Sequence, residues 1–240
     1  MDEQQLDVLR DENGQAIAQS GDPKTDLSPS RQGYVVDEEE MQELMEQLRA
    51  QRRANGMAIA DIQWVSTAFE QWRSGLSRHV QALDRASIAA LAVAMMQSLA
   101  VRDALIVSMV ASKTARLPNT MKRFVSRPHD SRNARLMCHL LDEAFNSVEN
   151  KPDEEICKAG MTMMDAIVDA VPERYGVQPL AVVAYALWWM QDEQADSYAR
   201  HALALDPRCN LASIVVQALE HGIYPAWCKH KGESQSEETQ

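Results

Sequence analysis

Four side chains near the C-terminus carry metal-binding chemistry: Cys209, His221, Cys228 and His230. Thiolate and imidazole are the donors zinc favours, and Cys228-Lys229-His230 sets two of them close together. Their spacing matches no zinc finger, and Cys209 and His221 stand at opposite ends of one helical pattern. Ordinary buried cysteines and surface histidines are expected, with no metal or other cofactor. Cys138-His139 puts a thiol beside a base, but neighbours on a helix point in different directions and make a poor nucleophile–base pair. Asp165 and Asp169 lie one turn apart and share a helix face, as paired acids do. Without a Glu-x-x-His companion they are expected on a solvated surface. The chain has no Gly-rich phosphate loop, no Gly-x-Ser-x-Gly elbow and no His-Glu-x-x-His. It is read as non-enzymatic. An enzyme of unknown class, with its site assembled from distant residues, is the weakest alternative.

Charge is a stronger signal. Residues 1–50 carry thirteen Asp/Glu against four Lys/Arg, a net −9, whereas residues 113–135 carry seven Lys/Arg against one Asp, a net +6. Lys113, Arg116, Lys122, Arg123, Arg127, Arg132 and Arg135 are therefore candidate polyanion contacts. A nucleic-acid-associated accessory protein is the main rival to the reading adopted below. Phe124 is the segment's only aromatic, which supports a stacking platform for single strands poorly. The same seven residues also suit a solvated loop, or a patch screened by the acidic N-terminal region. Arg102-Asp103 is a pair of opposite charges inside an apolar run. It must lie at an edge or be satisfied internally, so it ties helices together or sits at a recognition groove.

These residues need helices to position them. Residues 180–190, 193–205 and 207–221 form three helical runs with short connections, Asp206 capping the third with Pro207 in its first turn. Gly222 ends it. Trp188 and Trp189 are neighbours, so one is expected in the core and the other at the rim as an anchor for a partner. Asp37 opens a helix over 37–54 with an acidic first turn and Glu40 placed as in a capping box. Its stripe of Met41, Leu44, Met45 and Leu48 docks on the body, pairs with a copy of itself, or contacts another protein. Further helices are expected over 58–75, 80–111, 131–145 and 152–171. The run at 80–111 is one helix or, preferably, two joined near 98–102, with Asp84 capping the first. Leu117-Pro118-Asn119 and Arg127-Pro128-His129-Asp130 punctuate the basic segment. Residues 1–36 form an acidic arm expected to be disordered, and 228–240 a flexible tail, around a helical domain at 57–227.

With 45% hydrophobic residues, mostly Ala, Leu, Val and Met, and 5% aromatics, the chain favours closely packed helices over sheets. The expected class is all-α, a helical bundle or a short helical-repeat-like array. No run of eighteen uncharged apolar residues and no signal peptide is present, so no membrane contact and a cytoplasmic location are expected. The four cysteines, without framework spacing, read as free thiols.

Val101-Arg102-Asp103-Ala104-Leu105, the Ala-rich run at 181–189, Ala202-Leu203…Asp206-Pro207, Leu211-Ala212 and Leu219…Gly222-Ile223-Tyr224-Pro225 follow one another in a characteristic order. In this order and spacing the chain resembles the helical C-terminal part of an actinobacterial family, domain of unknown function 4192, over about residues 80–227. The family's sheet-containing N-terminal half has no counterpart here, and Trp189-Met190-Gln191-Asp192-Glu193-Gln194-Ala195 replaces a more Gly-rich turn. The resemblance implies a helical fold and bacterial origin, and it transfers no catalytic residue. The function expected is binding of a protein partner.

Overall fold

A computed structural model describes residues 36–231, and of these the side chains up to residue 228. The arm expected over 1–36, apart from Val36, and the tail beyond 231 lie outside the described residues, as does the His230 side chain. The described chain is all-α, with ten α-helices, two short 3-10 turns and no strand. In order these are α1 (Glu38–Asn55), α2 (Met57–Arg78), α3 (Arg85–Gln97), α4 (Leu99–Val110) and α5 (Pro118–Ser126). Next come α6 (Ser131–Asn146), α7 (Glu154–Ala170), α8 (Glu173–Trp189), α9 (Ala195–Leu205) and α10 (Asn210–Glu220). The 3-10 turns are Lys113–Arg116 and Ala226–Lys231.

Side-chain caps set several helix starts. Asp37, Asp84, Asp130 and Asp153 each accept a hydrogen bond from an amide of the following first turn. The capping box at α1 is half made: Asp37 accepts from Glu40 N at 2.9 Å, while the Glu40 carboxylate pairs with Arg85 of α3. Glu38 pairs with Arg174 of α8. The acidic first turn of α1 thus pins that helix to the body. Its apolar stripe docks as well, with Met41 and Leu48 buried and Leu44 and Met45 packed against the core. Behind it, Gly56 ends α1 and begins α2 at φ +80°, a conformation a side chain would strain. Arg52 Nε and Asp61 Oδ1 lie 2.6 Å apart in a nearly buried pair that fixes the α1–α2 corner.

The run at 80–111 is two helices, α3 and α4, bent by 115° at Ser98. No single helix among the described residues is long and apolar enough to cross a membrane. At the centre lies α8, in contact with α3, α4, α7, α9 and α10. Enclosure on several sides explains its nearly continuous apolar sequence and corrects the expectation for the two tryptophans. Both are buried, Trp188 at 5% and Trp189 at 1% exposure. Phe145 of α6 packs against both rings, and Trp188 Nε1 donates to Ile223 O at 2.8 Å. Neither tryptophan offers a rim anchor.

Three further expectations are corrected. α8 begins at Glu173, and Pro179 lies inside it rather than before it. Pro118 starts α5 at its first helical position, where a missing N–H is harmless, so part of the basic segment is helical. The Asp206 side chain accepts from Arg208 N at 3.0 Å and closes a turn, so α10 starts only at Asn210.

Candidate functional site

The bend at Ser98 leaves a cleft that α5 and α6 complete. α4 contacts both α5 and α6, and α5 contacts α6. Together with the start of α2 they enclose a groove of about 450 Å³. Its lining is mainly apolar: Met57 opens α2, Leu99 opens α4, Phe124 comes from α5, and Ala134 and Met137 lie one turn apart on α6. Met57 is 62% and Leu99 44% exposed, so apolar surface continues onto the rim. Breakers put both residues there. Gly56 precedes Met57 and the extended Ser98 precedes Leu99, so each starts a helix at the surface.

One buried amide shapes the adjoining rim. Asn133, 4% exposed, donates through Nδ2 to Arg123 O at 3.0 Å and Arg127 O at 3.1 Å. Its Oδ1 accepts from Arg123 Nη2 at 2.8 Å. Both carbonyls also accept from backbone amides, Arg123 O from Arg127 N and Arg127 O from Asp130 N, so the Asn133 amide adds second bonds that fix the α5–α6 connection. Pro128 and His129, in that connection, line the groove. Asp130 caps α6 through Arg132 N and Asn133 N, and those amides, with the Arg132 and Arg127 charges, hold its carboxyl below the usual range.

Arg123, Arg127 and Arg132, with Asp130 and Asn133, line a second, polar cavity of about 330 Å³. It adjoins the groove, since Asn133 lines both. The other basic residues do not join them. Lys113 and Arg116 line a separate cavity of about 230 Å³ that Glu143, Glu149 and Asp153 share. Arg116 donates to Ser108 O at 3.3 Å and Ala111 O at 3.5 Å, closing the end of α4, and its burial lowers its pKa. Lys122 lines a fourth cavity beside Glu70 and Arg73. Arg135 is exposed on α6.

Arg102 is an internal tie. Its Nε and Nη2 donate to Asp103 Oδ1 at 2.9 and 2.7 Å, and its Nη1 to Gln178 of α8 at 3.0 Å and Asn210 of α10 at 3.4 Å. Asp103, thus neutralised, lines the groove. The other chemistry-bearing residues stay apart. Cys209 and Cys228 are buried thiols, Cys138 is exposed, and His221 Nδ1 sits 2.8 Å from Gln217 O. Among the described residues no three His, Cys, Asp or Glu side chains are placed to hold a metal ion. Asp165 departs from the solvated surface expected of it. Tyr198 of α9 covers it and donates at 3.4 Å, and burial, with the Asp169 charge, pushes its carboxyl up to about 6. Burial likewise pushes the Cys157 thiol up to about 12.

The groove was not found by sequence reasoning. The usable signal was an apolar residue directly after each of two breakers, Gly56-Met57 and Ser98-Leu99. No family model, no curated protein and no solved structure matches the chain.

Proposed function

We propose that the chain is a non-enzymatic module that binds another protein, and that the groove at the α3–α4 bend receives the partner. One observation carries this: an apolar groove of about 450 Å³ whose rim holds the exposed side chains of Met57 and Leu99. Large apolar side chains exposed together beside a cleft mark interaction surfaces. Apolar surface running past the cleft favours an extended partner over a small molecule. This is not the surface its sequence suggested. Met41, Leu48, Trp188 and Trp189 are buried in the core and are unavailable as contacts. Bacterial origin and kinship of residues 80–227 with domain of unknown function 4192 belong to the same proposal.

The test is affinity purification of the tagged chain from its native cells, with and without nuclease, beside the variant Ala134→Arg. Ala134 is an exposed helical position, so the arginine obstructs the groove without disturbing the core. A protein recovered in stoichiometric amount with the wild type after nuclease, and lost with Ala134→Arg, supports the proposal. Equal recovery with both chains, or recovery abolished by nuclease, overturns it.

A further inference from the structure

Resting on that reading of the groove, we infer that its occupant is an acidic segment of another protein with an apolar face. The apolar half of the inference follows from Met57, Leu99, Ala134 and Met137. The charge follows from what surrounds them. Next to the groove, Arg123, Arg127 and Arg132 face a single carboxylate, Asp130. That carboxylate is already engaged by two backbone amides of α6. Among the described residues no carboxylate lies within ion-pair distance of the Arg127 or Arg132 guanidinium, and both residues are exposed.

Within the groove the titratable side chains are Asp103 and His129. Arg102 matches the Asp103 charge. The start of α4, at Leu99 and Ala100, and the end of α3, at Gln97, both line the groove, so their opposed dipole ends offset one another there and the arginines set the charge. The side of the groove that adjoins the three arginines is thus electropositive beside an apolar floor. Carboxylates on one edge of the segment meet the arginines, and large apolar side chains on its other edge fill the groove. A nucleic acid fits less well. Its phosphates would use the arginines and leave the apolar floor empty, and Phe124, 2% exposed, presents no ring face for a base to stack on.

A phage-displayed library of random peptides of about 12 residues, selected on the full-length chain, tests the inference. The expected winners combine Asp or Glu with Leu, Met, Phe or Trp. Synthetic copies bind at least about tenfold more weakly to Ala134→Arg. They bind roughly 3- to 10-fold more weakly to Arg127→Glu/Arg132→Glu, and affinity falls as salt rises from about 50 to about 500 mM. Peptides lost with Ala134→Arg but neutral or basic, and indifferent to the double charge reversal, overturn the acidic occupant while leaving protein docking intact. If no selected peptide is sensitive to the groove substitution, the docking reading falls as well. Circular dichroism establishes that each variant is folded, and Leu99→Glu, at a 44% exposed rim position, replaces Ala134→Arg should that variant unfold.

Discussion

Substituting Asp165→Asn should stabilise the protein at neutral pH and leave it unchanged in acid. Asp165 sits on α7 beneath Tyr198 of α9, partly removed from water and one turn from Asp169. Both surroundings disfavour its charge, so the folded-state pKa lies at about 6 against an ordinary 3.8. The folded state therefore holds the proton more tightly than the unfolded state does. Well below pH 3.8 both states are protonated and the site contributes no penalty; between 3.8 and about 6 the unfolded state has lost its proton while the folded state still holds it, so stability falls across that window and levels off above it. The full difference corresponds to roughly 3 kcal/mol, which partial hydration of this half-buried site reduces to about 1–2 kcal/mol. Asparagine keeps an oxygen for the Tyr198 hydroxyl and carries no charge. Urea denaturation of wild type and variant at pH 4, 5, 6 and 7 should give a stability gain that is smallest at pH 4, grows mainly between pH 4 and 6 and levels off by pH 7. A gain equal at all four pH values, or a variant less stable at pH 7, would refute the placement of Asp165 under α9.

Gly160→Ala should destabilise the fold, because its Cβ would lie 2.2 Å from Met109 Sδ and 2.7 Å from Met109 Cγ in the buried α4–α7 contact. Overpacking of about 1–3 kcal/mol outweighs the roughly 1 kcal/mol gained in helix propensity, and thermal melts read the difference. Ser108→Ala removes the acceptor 2.9 Å from Trp72 Nε1, leaving a fully buried indole N–H unpaired. A loss of about 1–3 kcal/mol in urea titrations is expected. For the cysteines, Ellman's reagent should modify Cys138 rapidly in the native protein. Cys157, Cys209 and Cys228 are buried and should react only after denaturant is added, with Cys157 further protected by a thiol pKa of about 12.

Helices announced themselves where a local rule decided them. Asp84 begins α3 because a carboxylate followed by helix formers needs no distant partner, and the charged pair after Ser98 foretold the break in 80–111. Prolines misled. Pro118 reads as a breaker and is the first residue of α5, and the run expected from 180 extends back through Pro179 to Glu173 in α8, held there by helices on several sides. Periodicity failed for Trp188 and Trp189 for the same reason: a helix enclosed by its neighbours has no wet face. Arg102-Asp103 was legible as a tie, though Gln178 and Asn210, its distant partners, were not. The seven basic residues looked like one patch in sequence. Three converge beside the groove, while a 3-10 turn and the start of α5 carry Lys113, Arg116 and Lys122 to other cavities. The groove joins residues from α2, α4, α5 and α6, and only packing brings them together.

The central claim, that this groove docks a protein, is tested most directly by a photo-crosslinking amino acid at Ala134, with Thr162 on the exposed face of α7 as the control position. Irradiation in the native cells should give a discrete protein adduct from position 134 and none from position 162. The adduct should vanish when Leu99→Glu is added to the same chain. Identical adducts from both positions, or a position-134 adduct that survives Leu99→Glu, would contradict it.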